Sequence, residues 1–295
     1  MDMNVELAYQ TYRKLLFSIA YRLLGTVTEA EDVVQDVFVS LHAADPDSID
    51  NMKAFLGRSV TNRCLNILQS ASRRKETYPG PWLPEPLYGD SGSGSEPGGR
   101  IELEEDIGYA YLVMLERLSP LERVVFVLRE AYGYEYEEIG DMIDKSPDNC
   151  RKILSRSRRK MSDAGYTEAL PDERKQAIVL QFVAALRQGN IPEAINLLAD
   201  QVVIVTDGGG KVKSALRPIA GIGRVGAFIR GIAAKETFSH GVAPVSVNGE
   251  TAMALTRIHL PQAVWCFELD QASGKIVKIY AVNNPDKLIR KYKNV

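Results

Sequence analysis

Apolar residues recur near helical spacing at the start of the chain, at Leu7, Leu15, Leu16, Ile19, Leu23 and Leu24, and the pattern stops at Gly25. It predicts an amphipathic helix with Gly25 as its C-cap. A second helix is predicted to begin near Thr28. Its sequence TEAEDVVQDVFVSLH turns Val33, Val34, Val37, Phe38 and Leu41 inward and leaves Glu29, Asp32, Gln35 and Asp36 outside, where acid near the N-terminus suits the helix dipole. Pro46 and clustered Asp and Ser break the pattern over 43–51. A third helix is predicted from about Met52 to Ser70, ending in the basic cluster Arg73, Arg74 and Lys75.

Helical spacing returns over 107–165. There YEYEEIGDMIDKSPDNCRKILSRSRRKM is predicted to be a helix, a tight turn and a second helix. Ser146 is a good N-cap and Pro147 suits the first helical position. From that start Cys150, Leu154, Ser157 and Met161 fall at steps of four, three and four, which gives one packing face. Asn149, Arg151, Lys152, Ser155, Arg156 and Arg159 fall elsewhere. A helix fits the major groove of B-DNA, where Arg, Lys and Asn hydrogen-bond to base edges, so this helix is a candidate DNA reader. The plain alternative for a run of charge is a solvated surface.

The third block, from Pro171, changes period. Helices at 171–188 and 191–199 precede the strand-like run QVVIVTD and a Gly-rich turn; a helix at about 224–234 precedes GVAPVSV, TAMALTRIHL, AVWCFELD and KIVKIYAV. Helices first and strands later, without β-α-β alternation, predict an α+β domain with a mainly antiparallel sheet. Gly221 to Gly226 spells G-x-G-x-x-G by letter. Pro218 weakens the preceding strand and no ribose-binding acid follows, so a loop entering a helix is expected there.

Two seams divide the chain into 1–75, a linker over 76–106, 107–165 and 171–295. YGDSGSGSEPGGR cannot bury enough apolar surface to fold alone. PWLPEPL, inside the same linker, is different: a Trp and two Leu held extended by prolines predict an internal docking strip. The formal net charge is −2, so any contact with nucleic acid must come from local patches. Cys64, Cys150 and Cys266 lie far apart without a C-x-x-C pair, which argues for a reducing cytoplasm and against a disulfide framework or zinc site. The early apolar run is short and contains Arg22, so neither a signal peptide nor a membrane span is expected.

With these residues in view, GTVTEAEDVVQDVFVSL and AFLGRSVTNRCLNILQSASRRK resemble region 2 of bacterial sigma factors of the extracytoplasmic-function group, and Leu118 to Met161 resembles region 4. The third block resembles a SnoaL-like domain of the NTF2 superfamily, a cone with a curved antiparallel sheet. The SigJ-like group of such compound factors carries WLPEP, DGGGK and NPDKL, which stand here as Trp82, Leu83, Pro84, Glu85 and Pro86; Asp207, Gly208, Gly209, Gly210 and Lys211; and Asn284, Pro285, Asp286, Lys287 and Leu288. The resemblance implies a multidomain protein of two all-α modules and an α+β domain. It implies a sigma factor that would bind core RNA polymerase, through the β′ clamp helices and the β flap, and promoter DNA, with the cytoplasm as the expected setting. It implies that Asp32, Gln35 and Asp36 grip the clamp helices. By the same resemblance Arg58, Asn62, Arg63 and Asn66 are expected to face the downstream promoter element, with Asn62 helping to hold a flipped base, and 43–51 is the expected specificity loop. Arg73, Arg74 and Lys75 are expected to anchor phosphate. Two departures stand out: Phe55 where many relatives have tryptophan, and Asp144-Lys145 in a turn that usually has glycine.

Three roles are open for the third block. The first is a built-in regulator, with PWLPEPL and DGGGK as the contact pair, the plain alternative for DGGGK being a hairpin turn. The second is an enzyme using Asp207, His240, His259, Trp265 and Tyr280, although no acid–base pair is fixed by spacing. The third is a pocket for a small-molecule ligand on a DNA-binding chain. No cofactor or metal is expected, and the scattered histidines suggest no metal site.

Overall fold

The structure, a computed structural model, describes residues 5–43, 49–75, 77–89, 108–163, 172–238, 241–257 and 260–288. The chain forms two compact units: Met1–Glu76 with Ser95–Glu105 and Tyr111–Thr167, and Thr77–Gly94 with Asp106–Ala110 and Glu168–Val295.

In the first unit α1 (Val5–Leu24), α2 (Val27–Ala43) and α3 (Met52–Lys75) pack through the apolar stripes read from sequence. Phe17, Ile19, Ala20, Tyr21 and Leu23 of α1 meet Val33, Val37 and Leu41 of α2 and the four-residue ladder Leu56, Val60, Cys64 and Leu68 of α3, all buried. Gly25 ends α1 with φ +71°, its N–H donating to the Tyr21 carbonyl at 2.8 Å. Further on come α4 (Tyr109–Leu115), of which this unit holds Tyr111 onward, α5 (Pro120–Glu130), α6 (Tyr136–Ile143) and α7 (Pro147–Asp163). Pro120 opens α5, and Ser119 and Glu122 close a capping box around that start.

The early and late helices of this unit pack directly on one another. Arg123 of α5, almost wholly buried, donates to the Leu23 carbonyl at 2.9 Å and to Glu116 at 2.7 Å. Tyr132 donates to Ser18 Oγ at 2.7 Å. On α3, Gly57 lies against Tyr134: a Cβ there would stand 3.2 Å from the phenolic oxygen.

The second unit contains α8 (Asp172–Arg187), α9 (Ile191–Asn196), β1 (Leu198–Asp207), β2 (Ile219–Ala220), α10 (Ile222–Ala233), β3 (Val242–Val247), β4 (Glu250–Arg257), β5 (Leu260–Leu269), β6 (Ile276–Val282) and a 3-10 turn at Pro285–Lys287. The strand order is β2-β1-β6-β5-β4-β3. This corrects the expected curved antiparallel cone: the sheet is open and not curved, and it is mixed, because β1 runs parallel to β6. Period-two alternation reports which face is buried but not strand direction. Every other strand follows its neighbour antiparallel, whereas β1 joins the last strand across the whole intervening chain.

One sheet face carries the core. Met253, Trp265 and Ala281 pair in a row across β4, β5 and β6, and Phe267 and Ile279 in the next. They pack against Val179, Phe182 and Val183 of α8 and Val225 and Ile229 of α10. Phe182 meets Phe267 edge-on at 5.4 Å; each such buried side chain contributes about 1.5–3 kcal/mol. The other face presents Val264, Val282, Cys266 and Tyr280, also buried. The Cys266 thiol is pushed up by burial and, secondarily, by Glu250.

Candidate nucleic-acid surfaces and a linker lock

On α2, Asp32, Gln35 and Asp36 are all exposed, and Val39, one turn on, is 70% exposed. On α3, Arg58 and Asn66 are exposed and Asn62 is half-buried, at i, i+4 and i+8 on one face. Arg63 is engaged otherwise: its guanidinium donates to Ser40 Oγ at 2.6 Å and to the Asp36 carbonyl at 3.4 Å, holding α3 against α2. The side chains of Arg73, Arg74 and Lys75 and most of the 43–51 loop lie outside the described residues; Asn51 caps α3 by accepting from the Ala54 N–H at 3.0 Å.

The helix-turn-helix turn is built on Asp144, which takes a left-handed conformation (φ 55°, ψ 55°) at the end of α6. The glycine that matters stands earlier. A Cβ on Gly140 would meet the Lys145 carbonyl at 2.5 Å, so the close approach of the turn requires glycine at that position. Ser146 then caps α7 by accepting from the Asn149 N–H at 3.3 Å. Cys150, Leu154, Ser157 and Met161 are buried as their spacing predicts, together with Ile153.

Asn149, Arg151, Lys152, Ser155, Arg156 and Arg159 are all exposed on α7. Two other basic residues of the helix fasten it to α5: Arg158 to Glu130 and Lys160 to Glu122, each at 2.7 Å. Burial opposes ionisation of Glu122, but the bonds from Lys160 and Ser119 outweigh it and hold the carboxyl below its ordinary value. Arg151 is gripped by Asp148 at 2.6 Å and Glu137 at 3.4 Å.

In the second unit the three short motifs meet. Asp207, at the end of β1 and fully buried, accepts from the Leu83 N–H at 2.9 Å, Tyr78 Oη at 2.6 Å, the Gly209 N–H at 3.0 Å and Lys287 Nζ at 2.7 Å. Lys287 also donates to the Leu83 carbonyl at 2.6 Å and stands 4.2 Å from the centroid of the Trp82 ring. Burial first, and then the Asp207 bond, push the Tyr78 phenol up. Asn284 donates to the same phenol at 3.1 Å. The glycines allow the approach. At Gly209 (φ +59°) a Cβ would collide with the Asn284 amide, and at Gly210 (φ +70°) it would lie 2.7 Å from Pro79. Lys211 pairs with Asp286 at 2.5 Å. Leu83, Pro84, Glu85 and Pro86 are buried, as is Leu288.

The strip then runs onto the edge of the sheet. Tyr88 bridges Val247 antiparallel, Asn248 N–H donates to the Leu87 carbonyl at 2.7 Å, and Gly89 N–H donates to the Ser246 carbonyl at 3.1 Å. Tyr109 returns to the same surface. Its hydroxyl donates to the Pro84 carbonyl at 2.6 Å and its N–H to Glu250 at 3.2 Å, while Glu250 also pairs with Lys175. Sequence reading missed Tyr78, Tyr109, Asn248 and the Lys175–Glu250 pair. Only Asn248-Gly249 carried a local signal, the hairpin dipeptide.

Of the residues considered for a catalytic pocket, Trp265 stands on the opposite sheet face from Asp207 and Tyr280. Trp265 belongs to the helix-covered face and Tyr280 to the other, where it donates to Glu268 at 2.7 Å; Asp207 is committed to the strip, and His240 and His259 lie outside the described residues. Among the described residues no helix is long and apolar enough to cross a membrane.

Residues 8–74 match the family Sigma-70 region 2, and residues 109–161 match Sigma-70, region 4. Over 290 residues the chain is 30% identical to the ECF RNA polymerase sigma factor SigJ of Mycobacterium tuberculosis, covering 95% of this chain and 91% of that one. A crystal structure of the extracytoplasmic function sigma factor SigJ of the same organism is similar with a TM-score of 0.76 at 28% identity, over 95% of this chain and 96% of that one. Two sigma-70 helical regions in order, a C-terminal α+β domain and a likeness spanning nearly the whole length place this chain among the extracytoplasmic-function RNA polymerase sigma factors, as a subunit for promoter recognition and not an enzyme.

Proposed function

We propose that the two helical regions read separate promoter elements while the C-terminal α+β domain, SnoaL-like in sequence, controls their spacing by holding the linker. Asp32, Gln35 and Asp36, with Val39 exposed on the same face, form the surface for the β′ clamp helices of core RNA polymerase; charge steers the encounter and the apolar residue adds contact area. Region 4 meets the β flap. Arg58, Asn62 and Asn66 face the downstream element, where Asn62 helps to hold an extruded base against a cost of a few kcal/mol. Asn149, Arg151, Lys152, Ser155, Arg156 and Arg159 on α7 meet the upstream element in the major groove. The setting is the cytoplasm.

The observation that carries the regulatory part is the Asp207–Lys287 pair closed over Leu83 and Trp82. WLPEP, DGGGK and NPDKL act as one lock. The strip joins the end of α3 to the start of α4, so docking it removes slack from the tether between the readers. Tethered sites gain affinity only when the linker spans them, so a held strip lowers the benefit of binding both elements. Releasing it restores reach.

Full-length Lys287→Met and Asp207→Asn, reconstituted with core RNA polymerase, should change promoter-dependent transcript yield relative to the unaltered chain. Equal yield from all three would remove the regulatory role and leave the sigma activity standing.

A further inference from the structure

The basic residues of α7 divide into kinds that their charge alone does not separate. Arg158 and Lys160 fasten the helix to α5. Lys152, Arg156 and Arg159 are exposed and make no ion pair among the described residues. Arg151 differs from all five. It is 49% exposed, yet it is held from three directions: Asp148 one turn back on α7, Glu137 on α6, and the ring of Tyr136, whose centroid is 5.0 Å from its guanidinium carbon. The same ring lies under Arg129, at 4.9 Å, and Arg129 is itself tied to the Tyr134 carbonyl at 2.7 Å and to Glu135 at 3.0 Å. Tyr136 is therefore a fixed platform.

These contacts have two physical consequences. Three supports hold an arginine that would otherwise sample many rotamers, so less entropy is lost when it meets a base. Two carboxylates already neutralise its charge, so it releases few counterions when it approaches a phosphate. An ordered guanidinium with little free charge suits bidentate recognition of guanine O6 and N7. Asp148 and Glu137 occupy two of its five N–H groups, which leaves a pair for the base edge. Free, unneutralised Lys152, Arg156 and Arg159 suit phosphate.

We propose that Arg151 is the specificity-determining residue of region 4 for a guanine in the upstream element, with Tyr136 as its positioning residue, while Lys152, Arg156 and Arg159 supply sequence-independent affinity. This rests on the placement of α7 on DNA proposed above.

The test measures promoter binding by the full chain with core RNA polymerase, on duplexes carrying every single base-pair change in the upstream element, over a range of salt concentrations. The unaltered protein should prefer guanine at one position by roughly 10- to 100-fold. Arg151→Ala and Tyr136→Leu should bring that ratio near unity without changing the slope of log K against log salt, and Tyr136→Phe should keep it. Lys152→Ala, Arg156→Ala and Arg159→Ala should each lower the slope by about 0.9 and leave the ratio intact. The double variant Glu137→Gln, Asp148→Asn retains the arginine and releases it. It should raise the slope by about 0.9 and weaken the preference, an outcome that loss of folding does not produce. The proposal falls if Arg151→Ala behaves like the other three basic substitutions, or if Tyr136→Leu leaves the ratio unchanged. If none of the four basic substitutions alters binding, the placement of α7 on DNA fails first and the proposal with it.

Discussion

Lys287 Nζ stands 2.7 Å from Asp207 Oδ2, with the carboxylate side chain fully shielded from solvent and the lysine side chain 9% exposed. A pair so enclosed gives little net stability, because desolvation offsets the attraction. Removing one partner leaves a buried charge alone. The pair fastens the strip, because each member also binds its backbone at Leu83, one at the N–H and the other at the carbonyl.

Lys287→Met should therefore destabilise the second unit by about 3–5 kcal/mol, read by chemical denaturation of the full chain. Adding Asp207→Leu should recover part of that loss, since no unpaired charge then remains. Proteolysis within 81–87 should rise in the single variant. A double variant no more stable than the single one would contradict the isolated-charge account.

Arg123 joins α5 to the end of α1 through the Leu23 carbonyl. Arg123→Met keeps much of the volume but removes the bonds to Leu23 and Glu116, leaving that carboxylate without its guanidinium. A loss of about 2–4 kcal/mol in the first unit is expected, with faster amide exchange where α1 ends. Unchanged exchange there would mean that the early and late helices are held by apolar packing alone.

The turn between α6 and α7 makes opposite predictions for two neighbours. Gly140→Ala should unseat the turn and abolish upstream-element binding, because its methyl would press on the Lys145 carbonyl. Asp144→Gly should be neutral or stabilise by about 1 kcal/mol, since the residue already holds φ 55°. Thermal unfolding of the two variants separates these effects.

Glu122 carries an acid-sensitive contribution. Its carboxyl ionises more readily in the fold than in the unfolded chain, so the stability it supplies is present above the ordinary glutamate range. That stability is lost as pH falls through the lower folded value. Glu122→Gln should flatten the stability profile at acid pH and weaken the hold of α7 on α5 at neutral pH. A variant profile parallel to that of the unaltered chain would show that the Lys160 bond does not carry this dependence.

Asn62→Ala should leave recruitment of the polymerase intact and slow promoter opening, read as reduced abortive product on duplex but not on pre-melted template. Equal loss on both templates would assign Asn62 to duplex binding instead of base capture.

Sequence by itself determined α1, α2, α3, α6 and α7 of the first unit, the packing face of α7 and the extended strip, because each depends on local periodicity, capping and proline stiffness. It also brought PWLPEPL and DGGGK forward as a candidate contact pair. Tertiary structure decided what lies between residues far apart in the chain: that β1 pairs parallel with β6 and leaves an open sheet, that Lys287 crosses to Asp207, that Arg63 is spent on α2, and that Arg151 rests on Tyr136. Alternation and charge report which side of an element meets solvent. The partner on the other side is set by how elements pack, which no single stretch of sequence encodes.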